Sequence, residues 1–211
     1  ARMRPWVEYL ETVATLLAVV EPIALTPLFL AATKGMGTAG RLRTSLTAAV
    51  TMFTVLTVAI LVGERLFHAF GIGIPSFRVG GGIVLLIIAI QLILGPTKSP
   101  QEEGLAPDSR FGVVPLGVPL LAGPGAITAV LFQSQDFTSA LDTGILIGCV
   151  ALVGLLVFLC YALAEPLGRM LGEQGIDVIG RVLSLILAAM AIEFIASGLS
   201  EIFPALGARV R

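Results

Sequence analysis

Two carboxylates stand inside apolar runs where a chain this hydrophobic has little use for charge: Glu21, within Val7 to Thr33, and Glu193, within Ile176 to Phe203. An unpaired carboxylate in an apolar medium is costly, so at such depth each is a functional-site hypothesis. Glu21 opens the stretch Glu21-Pro22-Ile23-Ala24-Leu25-Thr26-Pro27. Pro22 removes a backbone donor and clashes with the carbonyl four residues earlier, and Pro27 repeats the insult further along, so a helix should break here. Interrupted backbone at membrane depth needs protein or a wet cavity to satisfy the freed groups. Residues 21–27 are therefore expected to line a polar cavity, with Glu21 holding a cation or a proton. Glu193 is expected to face the bundle interior or a cavity, where it binds a cation, accepts a proton or hydrogen-bonds another helix.

The elements that must position these groups are membrane spans. The chain has 211 residues, 56% of them hydrophobic and only 13% charged, with mean hydropathy +1.00. An ordinary soluble domain carries about 25% charged residues, so this composition reads as an all-α integral membrane protein. Runs of spanning length, about 20 residues, fall at Val7 to Thr33, Leu42 to Val62, Ser76 to Leu94, Val114 to Gln133, Thr143 to Leu163 and Ile176 to Phe203. The first run is too long for a signal peptide and lacks a cleavage-site pattern. Between the third and fourth runs, Gly95 to Phe111 is rich in proline and charge and reads as a hydrophilic linker. The expected division is 1–95, a first three-helix unit; 96–113, the linker; and 114–211, a second three-helix unit, all in one membrane domain.

A shift of 102 residues carries Pro22 onto Pro124, Ala24 onto Ala126 and Thr26 onto Thr128. The same shift carries Gly73-Ile74 onto Gly175-Ile176 and Ala89-Ile90-Gln91 onto Ala191-Ile192-Glu193. One constant offset over distant blocks indicates an internal repeat. With three spans in each half the halves enter the membrane from opposite sides, giving six helices as two inverted three-helix repeats with helices 1 and 4 broken. The second break, Ala122-Gly123-Pro124-Gly125-Ala126-Ile127-Thr128, has glycine where the first has Glu21. Glycine lets backbone approach a ligand closely, and proline can serve as the first residue of a new helix. Two half-helices would then start near the midplane, at Pro22 and Pro124, each presenting the positive end of its dipole to a carboxylate. The competing reading is a pair of ordinary proline kinks that serve packing.

Other residue types weigh less. Cys149 and Cys160, eleven positions apart on one helical face, read as packing residues. Neither they nor the single histidine, His68, form a metal or disulfide pattern. Thr44, Thr47, Thr51 and Thr54 share a helical face and are expected to bond their own helix's carbonyls more than to line a path. Gly80 to Gly82, Gly144 and Gly148 read as close-packing positions, and Arg78 and Arg181 as snorkelling side chains. Lys34, Arg41 and Arg43, set against the basic-free stretch around Asp136 and Asp142, favour both termini outside. A net charge of −1 with no basic cluster excludes nucleic acid as a partner class.

Glu21-Pro22-Ile23 with Pro27 and Leu28-Phe29-Leu30, the run Ala122 to Thr128, and Phe77-Arg78-Val79-Gly80-Gly81-Gly82-Ile83 together resemble the MarC family, which includes SnatA-type neutral amino acid transporters. The resemblance covers nearly the whole chain. It implies a multi-pass protein of the bacterial or archaeal inner (cytoplasmic) membrane, associated in some members with transport of glycine, alanine and serine. The chain departs from the family's pattern where Asn or Asp commonly precedes the first proline and Glu21 stands here. It departs again at Ala24-Leu25-Thr26, where a Gly-Asn pair is frequent. On this basis the chain is expected to be a secondary transporter of small neutral amino acids with no cofactor, coupled to protons or sodium. The expected substrate-binding residues are Glu21, Pro22, Thr26, Gln91, Gly123, Pro124, Gly125, Thr128 and Glu193. Alternating access would come from one repeat rocking against the other. The alternative is a passive channel or a drug or small-molecule exporter of the same fold. An intramembrane enzyme, with Glu21 and Glu193 as acid and base, lacks any accompanying nucleophile, metal motif or cofactor fingerprint, so no enzymatic activity is expected.

Overall fold

The computed structural model describes residues 6–94, 112–136 and 139–204, and the described residues are helical with no strand. Seven α-helices follow in order: α1 (Trp6–Val20), α2 (Pro22–Ala32), α3 (Thr38–Phe70), α4 (Ile74–Leu94), α5 (Pro124–Asp136), α6 (Ala140–Ala162) and α7 (Glu165–Ile202). A π-helix, Gly112–Leu121, precedes α5. The linker proposed for 96–113 lies almost wholly outside the described residues.

Among the described residues, five stretches are long and apolar enough to cross a membrane: Val7–Ala32, Thr38–Phe70, Ile74–Gln91, Ala140–Ala162 and Arg181–Ile202. The count differs from the six expected because the run Val114 to Gln133 is divided between the π-helix and the 13-residue α5. Pro115, Gly117 and Pro119 explain the division: the prolines cannot donate to an α-helical ladder, and the chain takes a wider turn in which Ala122 N–H donates to Gly117 O, five residues back. Helix ends also move. α3 continues to Phe70 and stops at Gly71, whose left-handed backbone (φ 63°, ψ 25°) lets Gly71 and Ile72 N–H bond back to His68 and Phe67 carbonyls. α6 is capped by Ser139, whose Oγ accepts from Asp142 N–H at 3.1 Å. α7 begins at Glu165, ahead of the expected Ile176.

Packing relies on small residues, as it must between helices in lipid. α4 and α7 form the most intimate pair and run antiparallel, with Gly82 against the Ala191 carbonyl and Ile195, and Gly198 against the Pro75 carbonyl and Val79. Gly112 sits on the Thr44 carbonyl and Thr47, and Gly117 on Thr51, so the threonine face of α3 seats the π-helix. The hydroxyls of Thr44, Thr47 and Thr54 donate to the Gly40, Arg43 and Val50 carbonyls of their own helix. Phe29 of α2 stacks on Tyr161 of α6 with ring centroids 4.7 Å apart.

Among the described residues, every substantial helix contact joins an element before the 95–111 segment to one after it. α1 and α2 pack on α5, α6 and α7; α3 packs on the π-helix, α5 and α6; α4 packs on the π-helix, α5 and α7. Burial also recurs at the 102-residue offset. Thr26 and Thr128, Leu28 and Val130, Ala48 and Val150, Ala59 and Tyr161, Leu85 and Leu187, and Ala89 and Ala191 are all buried.

Candidate functional site

α1 ends at Val20 and α2 begins at Pro22, so Glu21 alone joins them. Its backbone is left-handed (φ 47°, ψ 50°), and it is the one non-glycine residue with positive φ among those described. That conformation costs roughly 1–2 kcal/mol for an ordinary L-residue, and Asn and Asp visit it more readily than Glu. The bonds around it continue across the junction: Glu21 N–H donates to Leu17 O, and Leu25 N–H to Glu21 O. The second junction repeats the arrangement, with Ile127 N–H donating to Gly123 O at the start of α5. Both helices thus have proline at the first position, and the amides ahead of these first bonds have no intrahelical acceptor.

The two junctions meet at one narrow cleft of about 40 Å³, lined among others by Glu21, Leu25, Gly123, Gly125, Leu187 and Phe194. Among the described residues Glu21 is the one ionisable group in its lining, so the polar cavity expected here is an apolar cleft with a carboxylate at its edge. Gly123 has no room for a side chain, since a methyl would stand 2.6 Å from the Pro119 carbonyl oxygen. Pro124 is buried, its ring pressed against Gly81 of α4. Pro22 is buried too.

A second, larger cavity of about 360 Å³ adjoins the first, and Gly125 and Phe194 border both. Thr15, Arg78, Thr128, Ala129, Phe132 and Gln133 complete its wall. Thr128 is 6% exposed, and neither its Oγ1 nor the buried Oε1 of Gln133 has a hydrogen-bond partner. Arg78 forms a salt bridge through Nη1 to Glu201 of α7.

Three expected site residues lie elsewhere. Thr26 is buried, and its hydroxyl donates to the Pro22 carbonyl at 2.9 Å. With that proton committed, the Cys160 thiol, 3.3 Å away, is the donor in their contact. Thr26 therefore faces α6 and not the cleft. Gln91 and Glu193 are exposed on the outer surface of α4 and α7. Glu193 does not face the bundle interior because Ser184, Leu187, Ala191 and Gly198, on the opposite side of α7, take that position. Conversely, Arg78, which the sequence reading gave only a snorkelling role, and Gln133 and Phe194, which it did not single out, line the cavities. Only Arg78 carried a signal: its equivalent at the repeat offset is Gly180, so its charge breaks the symmetry.

Proline-started helices meeting at a cleft inside a chain of apolar spans define a multi-pass integral membrane protein. The chain belongs to the MarC family of integral membrane proteins, whose family model matches residues 6–203. It is 37% identical over 199 residues to the UPF0056 membrane protein YhcE of Escherichia coli, covering 90% of this chain and 91% of that one. It is 35% identical over 202 residues to a UPF0056 membrane protein of Buchnera aphidicola, with 94% of each chain covered. With the UPF0056 inner membrane protein MarC of Citrobacter koseri it shares 30% identity over 205 residues, 89% of this chain and 91% of that one. No solved structure matches the chain.

Proposed function

We propose that this chain is a secondary transporter of small neutral amino acids of the glycine, alanine and serine class, acting across the cytoplasmic membrane. The observation that carries the reading is the meeting of the two helix junctions, at Glu21 and at Gly123, on one cleft, with Glu21 as its carboxylate. Open amides at two helix N-termini suit a substrate carboxylate, and Glu21 suits an ammonium group or a coupling proton or sodium ion. Glycines at 123 and 125 keep side chains out of the path.

In the proposed architecture six membrane crossings form two inverted repeats, the first and fourth crossings each broken at their proline. Recurrence of buried positions at one offset supports it, as does the recurrence of the first helical bonds at Leu25 and Ile127. The cleft at about 40 Å³ has room for a few water molecules and not for an amino acid. Substrate occupancy thus requires the elements that wall the cleft to move apart.

Purified protein in liposomes should take up labelled glycine, alanine or serine saturably and stereospecifically under a proton or sodium gradient, and E21Q should lose gradient-driven uptake. Unaltered uptake in both E21Q and P124A would sink the cleft as the transport site. Flux that neither saturates nor discriminates between enantiomers would favour a channel or an exporter of unrelated small molecules.

A further inference from the structure

The larger cavity at the Arg78 end of the bundle carries a second assignment. We propose that it is a recognition site for an amino acid zwitterion, occupied before the substrate reaches the cleft; the order of occupancy rests on the transporter reading above.

Its donors and acceptors divide as a zwitterion requires. Arg78 presents a planar guanidinium, and Glu201 engages it through Nη1, leaving further N–H donors for a carboxylate. The Thr128 hydroxyl lies in the same wall, 94% buried and without a partner. A buried polar group left unpaired is destabilising, and a ligand oxygen would relieve that cost. Gln133 supplies the complementary half: its buried Oε1 accepts and has no donor, which suits an ammonium group. The remaining wall, Ala129, Phe132 and Phe194, is apolar and suits a short aliphatic side chain. At about 360 Å³ the cavity falls within the roughly 300–1,000 Å³ of small-molecule sites, which the cleft does not approach.

Phe194 separates the two sites. Its ring lies against the Gly125 backbone, so closely that a methyl on Gly125 would stand 2.8 Å from Phe194 Cζ. A ligand passing from Arg78 towards Glu21 has to displace that ring.

Isothermal titration on the purified full chain in detergent tests the assignment with L-alanine, propionate and L-alaninamide as probes. L-Alanine should bind most tightly, propionate more weakly and alaninamide, which lacks the carboxylate, not measurably. R78Q should weaken alanine and propionate by at least about tenfold, the scale of a lost charge-assisted hydrogen bond. T128V removes only the unpartnered hydroxyl, keeps the Arg78–Glu201 bridge and should weaken both by roughly five- to tenfold. E201Q should leave alanine binding unchanged or tighter. If R78Q fails to fold, T128V still decides, since alanine binding that it leaves untouched overturns the site. Alanine binding that T128V and R78Q leave untouched, or no carboxylate binding to the parent, overturns the site. Propionate binding that depends on Arg78 and Thr128 in a protein that moves no amino acid keeps the site and removes the transporter reading.

Discussion

Glu21 holds two properties that pull apart under mutation. Its left-handed backbone is strained for a residue with a side chain, and its carboxylate is the one ionisable group on the cleft among the described residues. Glu21→Gly should therefore raise thermal stability in detergent, by about 1 kcal/mol, while abolishing gradient-driven uptake. A variant that transports at the parent rate would show that the carboxylate is dispensable. Much of this was readable in the sequence, because a proline after a carboxylate inside an apolar run is a local signal, and the glycines at 123 and 125 mark close approach in the same local way. Thr26 and Thr128 were equivalent on paper. Thr26 donates to the Pro22 carbonyl of its own helix and meets Cys160 of α6, whereas the Thr128 hydroxyl makes neither kind of bond, and no local pattern encodes that difference. Glu193 failed as an interior residue for a related reason: a helix of small and apolar residues has more than one face that could turn inward, and α4 selects among them.

The glycines of α4 show what helix position decides. Gly80, Gly81 and Gly82 are consecutive, yet a methyl at Gly80 meets nothing within 4 Å, whereas one at Gly82 would stand 2.8 Å from the Ala191 carbonyl oxygen. Gly80→Ala should be neutral or stabilise by up to about 1 kcal/mol, through helix propensity. Gly82→Ala should cost about 1–3 kcal/mol by forcing α4 from α7, read as a lower melting temperature. Equal effects of the two would contradict the α4–α7 seam described above. The sequence announced a small-residue patch here without saying which glycine carried the contact, since three neighbours point in three directions around a helix. The π-helix was less legible still. Val114 to Gln133 has the hydropathy of a span; Gly123-Pro124 marked the break within it, but only Pro115 and Pro119 hinted that the stretch before the break would not be an ordinary α-helix.

The whole molecule brings together what the linker separates. Rocking of one half against the other, as the repeat implied, does not fit the contacts, because the two halves interleave at every substantial helix pair among the described residues. α4 and α7 are held to each other more closely than to the rest. Lys34 and His68 lie at opposite ends of α3, before its start and near its finish. In a variant without Cys149 and Cys160, Lys34→Cys and His68→Cys should react with an impermeant thiol reagent from opposite faces of the membrane. The favoured orientation places position 34 inside, so labelling from outside at that position reverses it.

Interleaving also says something about how the chain is made. Residues 1–94 leave the ribosome first, but the surfaces on which α1, α2, α3 and α4 pack belong to segments not yet synthesised. The early half must wait in the bilayer, held by hydropathy alone, until α5, α6 and α7 arrive to complete it. Cut within 95–111 and made as two separate polypeptides, the protein should still assemble when both are present together. Either fragment by itself should be cleared by proteolysis.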